Sequence, residues 1–199
     1  MRTYTNPEAN GYLTEAKACG KIVNWLKSDI MDKILEINPQ GVSMKPYTVS
    51  LFGHRDFYGH RQLEERLIPI LRDMIRRHEF IEIYIGRDGE FDTYAATIVK
   101  RVQREYDDYH AIEFNLVLPY PKKDMEAFEK YYDRVNIPIS AHPKLAITKR
   151  NEWMAEQSDL VLCYIERESG GAYKAVQYAK KLGKEVINLA EETKEDEME

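Results

Sequence analysis

The sequence is poor in cysteine, with only Cys19 and Cys163, which lie far apart in different predicted elements. Neither belongs to a Cys-x-x-Cys pair, so the spacing argues against a zinc site or a disulfide framework. No apolar run approaches the roughly 20 residues that span a bilayer. The first residues also lack the apolar core of a signal peptide. These absences predict a cytoplasmic protein with no membrane partner.

A basic surface is also absent. The net charge is −5, and the tail over 191–199, with six acidic residues and one lysine, accounts for all of it. The rest of the chain is near neutral, whereas binding to duplex nucleic acid normally needs a basic surface. The sequence therefore disfavours duplex nucleic acid as a partner and predicts a disordered acidic tail over 191–199.

The common catalytic and cofactor motifs are missing as well. The chain has no Ser-His-Asp, Cys-His or H-E-x-x-H arrangement, no P-loop and no complete G-x-G-x-x-G fingerprint. His60 and His142 have no partner at metal-ligand spacing. The sequence therefore indicates no metal and no certain cofactor, and it leaves open whether the protein is an enzyme.

What the sequence does contain is a repeated order of strand and helix. Continuous apolar strands are predicted over 48–52, 80–85, 112–118, 159–164 and 186–189. Amphipathic helices are predicted over 60–78, 91–107, 123–133, 145–157 and 171–182. This alternation predicts an α/β fold, a Rossmann-like three-layer sandwich with a mostly parallel central sheet. Right-handed crossovers then place the carboxyl ends of the strands at one rim, where such sheets bind ligands.

An extra helix is predicted over 14–37, with Thr14 as its N-cap and an apolar stripe at helical spacing. It precedes the first strand, so we divide the chain into an N-terminal helical extension (1–46), the Rossmann-like domain (47–190) and the tail. The helix serves either as an added layer on the domain or as a dimerisation surface. A homo-oligomer therefore remains one of the two alternatives.

Three polar loops that contain glycine follow three of the predicted strands. They are Gly53-His54-Arg55-Asp56, the segment 86–92 and the segment 168–173. Together with two residues of the helix before the fourth strand, they give the candidate ligand-binding residues: Gly53, His54, Arg55, Gly86, Arg87, Asp88, Gly89, Asp92, Arg150, Asn151, Gly170 and Gly171.

The residue types in these loops suit a nucleotide. Arg55 and Arg87 offer cations for phosphate, and a glycine pair that opens a helix offers backbone N–H groups for the same purpose. Asp92 offers a carboxylate for a ribose hydroxyl. Each feature also has an ordinary structural explanation. A polar turn explains the first loop, helix capping explains the acids of the second, and a surface ion pair explains Arg150.

Taken together, several segments resemble the YpsA-like family of the SLOG superfamily, whose relatives include the DNA-processing protein DprA and the LOG phosphoribohydrolases. The resemblance covers roughly 47–190 and rests on SLFGHR at 50–55, GRDGEFD at 86–92, KRNEWM at 149–154, SDLVL at 158–162, the glycine pair 170–171 and YAKK at 178–181. It implies a Rossmann-like fold that binds a nucleotide-derived ligand, similar to ADP-ribose or NAD, in sensing or signalling.

The resemblance also implies an alternative, an N-glycosidase or phosphoribohydrolase that acts on nucleotides. LOG enzymes carry Pro-Gly-Gly-x-Gly-Thr-x-x-Glu, but here Ser169 replaces the proline and Gln177 replaces the glutamate. A neutral amide stabilises a developing oxocarbenium charge less well than a carboxylate. A carboxylate of Asp88, Glu90 or Asp92 would then have to substitute. A third hypothesis, a DprA-like binder of single-stranded DNA, is disfavoured by the near-neutral charge.

Overall fold

A computed structural model of the protein describes residues 45–106 and 111–191. The helix predicted over 14–37 and nearly all of the acidic tail lie outside the described residues. The division of the chain into extension, domain and tail therefore stays a prediction.

Six strands form one sheet: β1 Tyr47–Gly53, β2 Ile81–Ile85, β3 Ile112–Val117, β4 Arg134–Asn136, β5 Leu160–Tyr164 and β6 Glu185–Asn188. Their spatial order is β4-β3-β2-β1-β5-β6, and every neighbouring pair is parallel. The central strands β1 and β5 are buried on both faces, which is why their sequences are mostly apolar. The predicted Rossmann-like α/β fold is confirmed.

Five helices connect these strands: α1 His60–Arg77, α2 Glu90–Glu105, α3 Met125–Tyr131, α4 Pro143–Gln157 and α5 Gly170–Lys181. Helix α1 packs against α2, and α4 packs against α5. Within residues 45–106 and 111–191, none of the helices has the length and apolar character that a membrane span requires.

Side-chain alternation along the strands divides the core into two layers. Along β5, Leu162 packs into a cluster with the residues of α1 and α2, whereas its neighbour Val161 packs into a second cluster with α4 and α5. Successive side chains of a strand point to opposite faces. The two helix pairs therefore cover opposite faces of the sheet, as the three-layer prediction requires.

The sequence did not predict β4, which pairs with β3 at the edge of the sheet through Asn115 and Arg134. It has only three residues, and the side chain of Arg134 is exposed. So short and polar a segment carries no strand periodicity. Its existence depends on the hydrogen-bonding groups that the outer edge of β3 offers.

The chain order of the strands reverses at β1, which lies between β2 and β5. From β1 the chain builds outward through β2, β3 and β4, and then returns to place β5 on the other side. Loops that leave β1 and β5 therefore diverge to opposite faces of the sheet. In open α/β sheets this divergence leaves a crevice at the carboxyl ends of the strands.

The packing of α1 gives a first test of this arrangement. Leu67 on α1 is completely buried, whereas Leu145 on α4 is 54% exposed. We expect Leu67→Ala to lower the free energy of unfolding by about 2–5 kcal/mol, because it removes buried surface and leaves a cavity. Leu145→Ala is the matched control and should change it by less than about 0.5 kcal/mol. Urea denaturation of both variants measures the difference, and equal losses would contradict the packing described.

Candidate functional site

A solvent-open cleft of about 200 Å³ lies at the carboxyl ends of β1 and β2, between the starts of α2 and α5. Eleven of the twelve residues predicted from sequence line it: Gly53, His54, Arg55, Gly86, Asp88, Gly89, Asp92, Arg150, Asn151, Gly170 and Gly171. Leu51, Phe52, Ile147, Arg167 and Ala172 complete the lining. The structure thus brings the three loops and α4 together at one place. Their role in binding a ligand stays a prediction.

Arg87 is the exception and requires a correction. It is not among the residues of the cleft, and its guanidinium carbon lies 5.6 Å from the centre of the Phe128 ring on α3. A cation over an aromatic face is attracted by the electron density of the ring. The side chain therefore points toward α3, away from the position where a phosphate contact was expected.

Three of the cleft glycines are required by the packing of the protein itself. A Cβ atom at Gly53 would lie 2.0 Å from the ring of Phe91, and one at Gly89 would lie 2.7 Å from the Cα atom of Arg55. At Gly86 it would lie 2.2 Å from the Arg150 guanidinium. These glycines let side chain and backbone approach closely. Their missing side chains therefore do not by themselves make room for a ligand.

The glycine pair at the start of α5 is different because it faces open space. The nearest atoms to a Cβ at Gly170 or Gly171 are the Nδ1 atom of His54 and the Nδ2 atom of Asn151, each 4.0 Å away. Gly170 also has a φ of 90°, a left-handed conformation that side chains disfavour. Here the absence of side chains does expose the backbone of the helix start to the cleft.

Arg150 is almost completely buried, at 5% exposure, and its charge is compensated within the protein. It donates hydrogen bonds to the Val117 carbonyl, at 3.2 Å, and to the Asp88 carboxylate, at 3.1 Å. Lys122 donates to the other oxygen of Asp88 at 2.6 Å. Arg150 was expected to reach the rim or to form a surface ion pair. It does reach the rim, where it lies at the base of the cleft, and its ion pair is largely buried and not on the surface.

Asp92 is held by the loop that precedes it. Its Oδ2 atom accepts a hydrogen bond from the backbone N–H of Asp88 at 2.9 Å. Desolvation raises the pKa of Asp92, while the nearby charge of Arg150 opposes that rise. This carboxylate therefore stabilises the turn between β2 and α2.

Glu90 ties the first loop to the second. Its side chain accepts a hydrogen bond from the Phe57 N–H at 3.3 Å, and its backbone N–H donates to the Arg55 carbonyl at 2.8 Å. The loop after β1 is thereby fastened to the first turn of α2. The acids of this region thus act as anchors and caps, the structural explanation left open by the sequence.

His54 is 5% exposed and lies beside Gly170 in the cleft. Its Nε2 atom has no hydrogen-bond partner within residues 45–106 and 111–191. Burial lowers the pKa of His54, and the positive charge of Arg167 lowers it further. The ring is therefore neutral at pH 7, and its Nε2 is a buried polar atom without a partner among the residues that the structure describes.

Two arginines supply positive charge at the mouth of the cleft. Arg55 is exposed, and its side chain has no hydrogen bond or ion pair with any residue that the structure describes. Arg167 is about half exposed and lies 3.7 Å from the Asp56 carboxylate. Sequence reasoning missed Arg167 because it started the third loop one residue later. Arg167 lies three residues after the end of β5, whose carboxyl end is at the same rim, and that position was the signal that could have found it.

Within the described part of the chain, no cluster of three or more histidine, cysteine, aspartate or glutamate side chains has the arrangement of a metal site. Cys163 is a free thiol in the interior of β5. Burial raises its pKa to about 12, so the thiol is protonated and unreactive at neutral pH.

Solved structures that resemble this chain include two DNA-processing proteins A (DprA). The Streptococcus pneumoniae protein matches with a TM-score of 0.53 and 16% identity, over 72% of this chain and 50% of that chain. The Helicobacter pylori protein matches with a TM-score of 0.50 and 15% identity, over 77% of this chain and 72% of that chain. This chain therefore spans half the length of the S. pneumoniae protein.

No protein-family model matches the sequence, and a search of functionally curated proteins finds no match. At 15–16% identity the two structural matches show the fold alone. That fold is the Rossmann-like type of the two DprA proteins, and membership in the SLOG superfamily stays a prediction. Membership in the YpsA-like family stays a prediction.

The comparison corrects the expected partner. The sequence analysis named a small-molecule nucleotide as the ligand and disfavoured a DprA-like role. The H. pylori protein, which has this fold, binds single-stranded DNA. Restricting the partner to a small molecule is therefore wrong.

The different roles of the glycines can be tested by the same substitution at two positions. Gly89→Ala should lower the free energy of unfolding by about 1–3 kcal/mol, because its Cβ would press on the Arg55 backbone. Gly171→Ala should be neutral, or stabilising by up to about 1 kcal/mol, since the site is open and alanine favours the helix. Chemical denaturation compares the two variants. A larger loss for Gly171→Ala would refute this assignment.

The environment of His54 predicts a pH dependence. Because its pKa in the folded protein lies below the ordinary value of 6.5, the unfolded chain binds the proton more readily. The contribution of His54 to stability is therefore present above pH 6.5 and is lost as the pH falls below that value. We expect His54→Gln to reduce this loss between about pH 7 and pH 5. His142→Gln, at an exposed histidine, is the control. Denaturation curves measured across that pH range compare the two variants. The same pH dependence in both would be inconsistent with a buried neutral ring at His54.

Proposed function

We propose that the cleft binds the phosphate group of a nucleotide at the amino terminus of α5. The observation that carries this proposal is the open, uncapped start of that helix. Ser169, the N-cap residue, makes no side-chain capping hydrogen bond, and Gly170 and Gly171 leave the space in front of the helix free. The first N–H groups of a helix have no intrahelical acceptor, and with the helix dipole they favour an anion.

The charges around the helix start agree with an anionic ligand. Arg55 and Arg167 add two cations at the mouth of the cleft. The carboxylate of Asp88 does not oppose them, because Arg150 and Lys122 compensate its charge. Arginine holds phosphate well because its planar guanidinium can donate two parallel hydrogen bonds.

His54 adds a polar contact within the same cleft. Its Nε2 atom is buried and has no partner among the residues that the structure describes. Leaving such an atom unsatisfied is unfavourable, so a rotation of the ring that lets Nε2 pair with a ligand in the cleft would remove the cost. A neutral imidazole can donate to a phosphate oxygen or accept from a ribose hydroxyl, depending on which nitrogen carries the proton.

Two kinds of ligand would present a nucleotide phosphate to this cleft. One is a unit of single-stranded DNA, supported by the fold shared with the H. pylori protein. Tyr58 supports the same source, since it follows Arg55 in the loop after β1 and exposes 85% of its surface, as a base-stacking residue would. The other is a free nucleotide such as AMP or ADP-ribose in a sensing role, which the resemblance to YpsA-like proteins implies.

No observation favours the hydrolase alternative. The side chains of Asp88, Glu90 and Asp92 accept hydrogen bonds within the protein. Gln177, at the position of the LOG glutamate, does not line the cleft and lies in the groove between α4 and α5. We therefore propose binding as the function.

A carboxylate placed at the helix start tests the proposal. In Gly171→Asp the added side chain has room and suits the dipole of α5, so the fold should be retained. The same charge should exclude a phosphate. We expect the variant to lose binding of a fluorescein-labelled oligothymidylate, measured by fluorescence anisotropy. It should also lose binding of AMP and ADP-ribose, measured by calorimetry.

The uncharged Gly171→Ala is the matched control and should bind as the wild type does. Tighter binding of the oligothymidylate than of the free nucleotides assigns the site to single-stranded DNA, and the reverse order assigns it to the free nucleotide. Wild-type protein that binds none of these probes, or Gly171→Asp that binds them unchanged, would overturn the proposal.

A further inference from the structure

A second groove opens directly from the cleft and runs between α4 and α5. It has a volume of about 300 Å³ and shares three residues with the cleft, namely Ile147, Asn151 and Gly171. Its other lining residues come from the facing surfaces of the same two helices: Thr148, Glu152, Lys174, Ala175, Gln177, Tyr178 and Lys181. The two spaces therefore adjoin at these three residues, next to the proposed phosphate position.

The α5 side of this groove carries a stripe of positive charge. Lys174 and Lys181 are exposed, and neither has an ion pair or hydrogen bond with a residue in the described ranges. They follow Gly171 by three and ten positions, which places all three on one side of the helix. At 1.5 Å per residue, the stripe extends about 15 Å from the helix start.

The acidic residue that lines the α4 side of the groove is paired with a lysine, and Glu156 borders the groove through its contact with Tyr178. Glu152 is the acidic residue of the groove, and Lys149 holds its carboxylate at 2.6 Å. Tyr178 contributes a half-buried ring, whose hydroxyl donates to Glu156 at 2.6 Å. Ile147, which is 38% exposed, adds apolar surface next to the cleft. Cations interleaved with apolar and aromatic surface are the composition that binds the backbone and bases of a single strand.

We infer that the groove between α4 and α5 binds the nucleotides that follow the phosphate held in the cleft, so that the ligand is a strand of single-stranded DNA. This inference rests on the proposed function, because it takes the cleft as its first position. A stacked strand carries one phosphate per about 3.4 Å, so 15 Å of basic helix surface spans about four nucleotides. A free mononucleotide occupies the first position and leaves both lysines without a phosphate.

The test is a length series on the full chain. Thymidine monophosphate and oligothymidylates of two, four and eight nucleotides compete with a labelled oligothymidylate in fluorescence anisotropy. We expect affinity to rise with length up to about four nucleotides and then to level off, apart from the statistical gain of longer chains. Each neutralised phosphate steepens the salt dependence of single-strand binding by about 0.7.

Charge reversal then locates the contacts. The double variant Lys174→Glu, Lys181→Glu should bind the eight-nucleotide strand more weakly, with a salt slope reduced by about 1.4. Lys130→Glu is the control, because Lys130 is exposed on α3, on the opposite face of the sheet. It should bind as the wild type does.

The two proposals fail separately. If thymidine monophosphate binds and Gly171→Asp abolishes that binding, the phosphate cleft stands. Affinity that is then independent of strand length, or a double variant with wild-type affinity and salt slope, overturns the groove alone. If neither the monophosphate nor any strand binds, the proposed function itself is refuted.

Discussion

The ion pair between the buried Arg150 and the partly buried Asp88 is the interaction on which the geometry of the cleft depends. Arg150 extends from the middle of α4 and also donates to the Val117 carbonyl at the end of β3. One side chain thus joins a helix on one face of the sheet to two strand ends at its rim. Leaving a buried charge without its partner is strongly unfavourable, so the three elements are fixed relative to one another.

This pairing separates the charges of the site into two groups. The inner charges, on Arg150, Asp88 and Lys122, compensate one another and serve the fold. The outer cations, Arg55 and Arg167, face solvent at the mouth. A phosphate that enters the cleft would therefore meet the helix amides and the outer cations, while the Asp88 carboxylate is already compensated. The proposed binding of an anion is compatible with the small net charge of the described domain, because binding depends on local charge placement.

Periodicity predicted the sheet and its helices well, since buried parallel strands and amphipathic helices leave strong apolar patterns. It also predicted the three loops, because strand carboxyl ends share one rim. It missed β4, whose three residues carry no pattern. Periodicity could not predict the direction of individual side chains, such as Arg87, which points to Phe128, and Arg150, which points inward. Those directions are decided by tertiary contacts between segments far apart in sequence.

The way in which the cleft would hold phosphate depends little on the identity of the surrounding side chains. The proposed anion contacts at α5 come from backbone N–H groups, which every residue except proline supplies. Substitutions in the surrounding loops leave those groups in place as long as Gly170 and Gly171 keep the helix start open. In the groove, by contrast, the proposed contacts come from side chains, Lys174 and Lys181 among them. In this proposal, the backbone of the fold provides the affinity for phosphate. The side chains of the groove determine whether the ligand is a strand or a free nucleotide.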